Sequence, residues 1–161
     1  MNDLASTPTT EAPPRLGEIG LNNFAPYLMN RIMGRYNLSL RAEMAALGLT
    51  TPKMRALAVL AVIDGIQIRQ LAVYAVTEQS TLSRALDALA GEGLVRREPD
   101  PNDSRATRIH ITNAGRAAFD RLWPHMAQTY AQMFNGIDDE EKRAFVRTLQ
   151  KILGNIRKHD F

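Results

Sequence analysis

The chain has no cysteine. That absence excludes a disulfide framework, thiolate catalysis, cysteine-based redox sensing and any zinc site built on cysteine. Long hydrophobic runs are missing too. The best, Ala56 to Ile63, is far shorter than the roughly 20 apolar residues that cross a bilayer, so no membrane partner is expected. Excess charge of one sign is small: 20 Lys and Arg against 17 Asp and Glu leave +3, which permits an anionic partner without requiring one. Catalytic patterns are equally scarce. His110, His125 and His159 fall on separate stretches without metal-ligand spacing, and there is neither a glycine-rich phosphate loop nor a locally supported Ser/His/Asp order. No catalytic residue, metal or cofactor is therefore assigned, and the expectation is that the protein is not an enzyme.

What remains is ordinary globular material: 161 residues, 45% hydrophobic and 23% charged, enough for one domain whose core needs no metal or disulfide. The N-terminal stretch MNDLASTPTTEAPP lacks a basic start followed by an apolar run. It does not read as a secretory signal, and the cytoplasm is the expected location. Residues 1 to about 18, rich in Ser, Thr and Pro, read as a flexible N-terminal arm.

Hydrophobic spacing organises the rest. From Leu21 to Leu47 a helical stripe of Leu21, Phe24, Leu28, Ile32 and Tyr36 runs to a stop at Gly48, with Pro26 in the first turns. Thr51-Pro52 reads as an N-cap followed by a proline at the first helical position, opening a second helix, Met54 to Ile63, apolar almost all round. Asp64-Gly65 ends it. Ile66 could form a short strand, and Ile68 to Tyr74 a short third helix with Ile68, Leu71 and Ala72 pointing inward. Thr77 is expected to cap a fourth helix, whose buried stripe is Leu82, Ala85, Leu86 and Leu89 and whose polar face carries Gln79, Ser80, Ser83, Arg84 and Asp87.

Gly93 stops the fourth helix, and Leu94 to Glu98 and Ala106 to Ile111 read as two strands around the turn PDPNDSR. Thr107, Ile109 and Ile111 alternate there with Arg108 and His110, the pattern of a half-exposed hairpin. Thr112 caps a long fifth helix with a seam of Phe119, Leu122, Met126, Tyr130 and Met133, which Pro124 should kink near Asp120. In the sixth helix, Asp138 to Glu141 suit the positive N-terminal end better than a cation site, and Phe145, Leu149, Ile152 and Ile156 form an apolar stripe. The two seams exceed what one small domain buries, which assigns these four residues, with Phe119 to Met133, to dimerisation.

The expected fold is thus mainly α with a small β-hairpin. Three short helices followed by a hairpin, Thr51 to Ile111, give the order of a winged helix-turn-helix, in which the helix from Thr77 to Gly91 enters the major groove of double-stranded DNA. Short hydroxyls let backbone approach the duplex while Gln and Arg reach base edges or phosphates. Candidate contacts are Gln79, Ser80, Thr81, Ser83 and Arg84 on the helix. On the wing they are Arg97, Asp103, Arg105 and Arg108. An arginine at a hairpin tip can enter a narrow minor groove, and Asp103 could hold the Arg105 guanidinium in a bidentate pair. The competing explanations are a solvated helix face and a turn in which Asp and Asn merely satisfy backbone groups.

Leu71-Ala72, the helix TEQSTLSRALDALAGEGLVRR and the wing DPNDSRATRIHITNAG together resemble the multiple antibiotic resistance regulator (MarR) family, over residues 21 to 158. The wing positions Asp100, Pro101, Asp103, Arg105, Ile111, Thr112 and Gly115 carry it most specifically. One position departs: where many members place a second basic residue before the wing arginine, this chain has Ser104. The resemblance implies a helical dimerisation region from both chain ends, 19–48 and 112–161, around a winged helix-turn-helix domain at 49–111. It further implies a homodimeric DNA-binding regulator, a repressor of a pseudo-palindromic operator relieved by a small molecule. An amphipathic, aromatic or acidic effector is expected where the first, second and fifth helices meet the DNA-binding lobe, lined by Phe24, Tyr36, Met54, Arg55 and Trp123. Core packing is the competing explanation for Met54 and Trp123. The runner-up function is a winged-helix protein-interaction module without DNA binding, and a helical-bundle enzyme or carrier comes third.

Overall fold

A computed structural model describes residues 12–161, so the expected arm over residues 1–11 lies outside the described residues. The chain divides between Leu38 and Ser39 into two compact units. The first contains α1 (Leu16–Ile19), a 3-10 turn (Leu21–Asn23) and the beginning of α2 (Ala25–Ala46). The helix expected from Leu21 therefore starts later, and a helical turn stands at 16–19, where only the arm was expected. Gly20, at φ 78, takes a conformation closed to an α-helix and separates the two. Pro26 falls in the first turn of α2, where its missing N–H breaks no intrahelical bond.

The second unit contains the rest of α2, then α3 (Thr51–Val62), β1 (Ile66–Gln67), α4 (Ile68–Tyr74), α5 (Gln79–Gly91), β2 (Val95–Pro99), β3 (Thr107–Ile111), α6 (Asn113–Met133) and α7 (Asp139–Ile156). Helix starts follow side-chain chemistry. Thr50, one residue before the expected cap, accepts the N–H of Lys53, which leaves Pro52 at the second helical position. Thr112 accepts the N–H of Gly115 at 3.0 Å, as expected, and Asp138, expected only within the acidic run that suits the helix N-terminus, accepts that of Glu141 at 2.8 Å. The cap of α5 is Glu78 rather than Thr77, whose hydroxyl turns back to the Ala75 carbonyl.

Helix α3 packs against α4, α5 and α6, and the core gathers around it: Leu57, Leu60, Leu71, Leu82, Leu86, Leu89, Ile109 and Leu122 are fully buried. Each such leucine contributes about 2 kcal/mol by leaving water. The stripe Leu82, Ala85, Leu86 and Leu89 is buried as its spacing dictates. Val62, at the far end of the nearly all-apolar α3, is exposed.

The short strand expected at Ile66 joins the expected hairpin as its third strand. The sheet is antiparallel in the order β1-β3-β2, with Ile66 opposite Ile109 and Val95 opposite Ile111. Pro99 is tolerated because β2 is an edge. Gly115 permits α6 to approach β2, since a β-carbon there would come within 2.0 Å of the Leu94 carbonyl oxygen. Helix α6 runs through Pro124 without interruption; its N-terminal half buries Phe119 and Leu122, while Tyr130 and Met133 stay exposed. Helix α7 exposes Phe145, Ile152, Leu153 and Ile156, and Leu149 is half-buried. Among the described residues, no single helix is long and apolar enough to cross a membrane.

Candidate nucleic-acid interface

Helix α5 buries its leucine stripe against α3 and α4, which turns Gln79, Ser80 and Arg84 outward and leaves Thr81 and Ser83 half-buried. No ion pair or hydrogen bond holds the Arg84 side chain among the described residues, so its five donors are available to an acceptor from outside. The hydroxyls are less free than the sequence suggests. Ser80 and Thr81 both donate to the Glu78 carboxylate, the latter at 3.4 Å. The Ser80 hydroxyl above all holds the Glu78 carboxyl below its ordinary range. A negative charge therefore sits at the start of the helix that was expected to meet phosphates. The signal for it was Glu78 itself, two residues before a serine.

Four wing residues have distinct placements. Arg105 is exposed at the tip and has no side-chain partner among the described residues. Asp103 does not hold the Arg105 guanidinium: its carboxylate accepts the Arg105 backbone N–H at 3.0 Å, and its carbonyl accepts that of Ala106. The turn thus uses Asp103 to fix the backbone, as the competing explanation has it. Arg97 pairs with Asp87 of α5 at 2.8 Å, bracing the wing against the helix. Arg108 is committed at both ends of its guanidinium, Nε donating to Asp100 and Nη1 to the Gly65 carbonyl, each at 2.8 Å.

Asp100 anchors this arrangement. It is buried, and it accepts hydrogen bonds from Gln67 Nε2, the Asn102 backbone and Arg108. These bonds, the Gln67 amide foremost, hold its carboxyl below the ordinary carboxylate range. The wing is thereby tied to β1 and to the start of α4. Between them lies an open cleft of about 320 Å³ lined by Gln67, Arg69, Gln79, Asp103, Arg105 and Thr107. It brings Gln79 of α5 together with Arg105 of the wing. Arg69, which sequence reasoning missed, joins them, and its side chain is unpaired among the described residues. Only the fold of β1 onto β3 delivers it there, so no local pattern marks it.

The expected ligand-pocket residues divide between the units. Phe24 and Tyr36 lie in the first, where partial burial pushes the Tyr36 hydroxyl above its ordinary value. In the second, Met54 is buried, Arg55 donates to the Val76 carbonyl at 3.0 Å, and Trp123 is exposed with its ring 6.3 Å from that of Phe119. Among the described residues, no group of three or more His, Asp and Glu side chains could hold a metal ion.

The sequence pattern of the MarR family matches residues 47–106. A MarR-family transcriptional regulator from Silicibacter pomeroyi, known as a crystal structure, is 59% identical; the match covers 92% of this chain and all of that one, with a TM-score of 0.88. The HTH-type transcriptional repressor IacR of Pseudomonas putida is 24% identical over 143 residues, 89% of this chain and 86% of its own. CouR from Rhodococcus jostii RHA1, in a crystal structure bound to p-coumaroyl-CoA, shares the fold at a TM-score of 0.73 and 22% identity, over 87% of this chain and 99% of its own. A helix-turn-helix with a braced wing, carried by a chain this similar to a known regulator over nearly its whole length, leads to one conclusion: the protein belongs to the MarR family of transcriptional regulators.

Proposed function

We propose that the protein works as a homodimer that binds a pseudo-palindromic operator in double-stranded DNA and represses transcription until a small molecule releases it. The observation that carries the DNA-binding part is the cleft that gathers Gln79, Arg69 and Arg105, an amide and two unpaired guanidinium groups from three separate elements. Arg84 lies on the exposed face of the same helix. In this reading α5 enters the major groove, with Gln79 and Arg84 at base edges and Ser83 close to the backbone. Ser80 and Thr81 reach phosphates only by leaving Glu78. Arg105 enters the flanking minor groove. Arg97, Arg108 and Asp103 act on DNA indirectly, by setting the shape of the wing.

Residues 49–111 form the DNA-binding domain, and residues 19–48 and 112–161 form the dimerisation region. Support for the second assignment is the exposed apolar stripe of Phe145, Ile152 and Ile156 on α7, continued by Leu149 and by Tyr130 and Met133 on α6. Repression and relief rest on kinship: one relative is a repressor by name, and CouR holds an aromatic acyl thioester. The effector proposed here is correspondingly an aromatic acid or its derivative. Such a ligand acts only through its difference in affinity between DNA-competent and incompetent states; a 100-fold loss of operator affinity needs about 2.7 kcal/mol. A regulator of this kind acts in the cytoplasm. The test is a gel shift on random duplex at low salt, repeated as salt rises: binding that weakens steeply supports the reading. Absence of any shift at low salt would favour the protein-interaction module.

A further inference from the structure

The turn between α4 and α5 contains Val76 at φ 48, and among the described residues this is the one non-glycine with a positive φ. A β-branched side chain is disfavoured there by its own backbone. Val76 is also 78% exposed, so burial does not offset the strain. What faces the turn is Arg55 of α3, whose Nη1 donates to the Val76 carbonyl at 3.0 Å. On its other side, the N–H groups of Val76 and Thr77 donate to the carbonyls of Val73 and Ala72, each at 3.1 Å.

We infer that Arg55 is a positioning residue for the helix that meets DNA: its guanidinium latches the strained turn at Val76 and so fixes where α5 begins relative to α3. A turn under strain has a relaxed alternative in which Val76 returns to negative φ and the first turn of α5, with Gln79 and Ser80, swings with it. The hydrogen bond from Arg55 selects the strained form. Because α3 lies in the core and α5 on the surface, the latch transmits the position of one to the other. Its consequence for operator binding rests on the DNA-binding reading above; its existence in the free protein does not.

Two measurements separate those levels. Amide hydrogen exchange on the full chain, without DNA, compares wild type with Arg55→Ala and Arg55→Lys. Exchange at Val76 and Thr77 should rise about tenfold in Arg55→Ala and less in Arg55→Lys, while Leu86 in the middle of α5 keeps its protection. Unchanged exchange at Val76 and Thr77, or equal loss of protection at Leu86, would overturn the latch. The second measurement is binding to a duplex selected by the wild-type protein. Arg55→Ala should weaken binding about tenfold, and the same substitution in a Val76→Gly background should cost less than about twofold, because glycine holds a positive φ without strain. Equal losses in the two backgrounds would mean that Arg55 does not act through the turn. Failure of wild type to bind any duplex would sink the DNA-binding reading, with the exchange experiment still deciding the latch.

Discussion

Asp100 Oδ2 lies 2.8 Å from Arg108 Nε, and Asp100 is the one buried polar or charged residue among those described. Its remaining acceptor capacity takes the Gln67 amide and the Asn102 backbone N–H. A single carboxylate thus joins β1, β3 and the wing turn. The wing is a braced element, and Arg105 projects from a tip whose backbone is fixed by Asp103.

Asp100→Asn should loosen this joint in a pH-dependent way. The folded carboxyl titrates below its unfolded value of about 4, so the stability it contributes is present above that value and is lost as pH falls through the folded one. Thermal melts should show wild type well above the variant at pH 7, with the gap closing below about pH 4. A gap that stays constant over that range would contradict the role given to the ionised carboxylate.

Arg69, Arg84 and Arg105 should differ when changed to alanine. If Arg84 reads a base, its loss costs about 1–3 kcal/mol and relaxes preference at one position of each half-site. Arg69→Ala should weaken all sequences alike, as a phosphate contact does. Arg105→Ala should matter most where the flanks are A·T-rich. Competition binding over a panel of single-base variants distinguishes the three, and wild-type affinity in all of them would refute the interface.

Glu78→Gln should tighten binding to random duplex several-fold. The substitution removes a negative charge from the start of α5 and weakens the hold on the Ser80 and Thr81 hydroxyls, because an amide oxygen accepts less strongly than a carboxylate. Anisotropy titration at fixed salt measures it; weaker binding would mean that Glu78 organises the helix start more than it repels phosphate.

Ile152→Glu and Phe145→Glu should break the proposed dimer, because each places a charge in the apolar stripe of α7. Sedimentation velocity should show a monomer or aggregate in place of a dimer. An unchanged sedimentation coefficient would remove α7 from the dimer interface.

Elements that rest on local chemistry were readable from the chain. The burial of Leu82, Ala85, Leu86 and Leu89 follows from helical spacing, the cap at Thr112 from a side-chain oxygen three residues before an orphan N–H, and the helix start at Asp138 from its acidic run. Of the two adjacent threonines before Pro52, Thr51 is the expected α3 cap, but Thr50 takes it. Long-range pairings were not readable. Nothing near Arg108 in sequence says that it will meet Asp100 and the Gly65 carbonyl, and Arg69 reaches the cleft only because β1 pairs with β3. The wing carboxylate differs for a local reason: Asp103 satisfies the Arg105 N–H of its own turn ahead of a flexible guanidinium.

The central claim, sequence-specific binding of a two-fold DNA site, is tested most directly by selecting bound duplexes from a random pool with the full chain. One motif should be enriched, occurring twice, inverted, with half-site centres about one helical turn apart. Recovery of no enriched sequence, or of a single unrepeated motif, would contradict it.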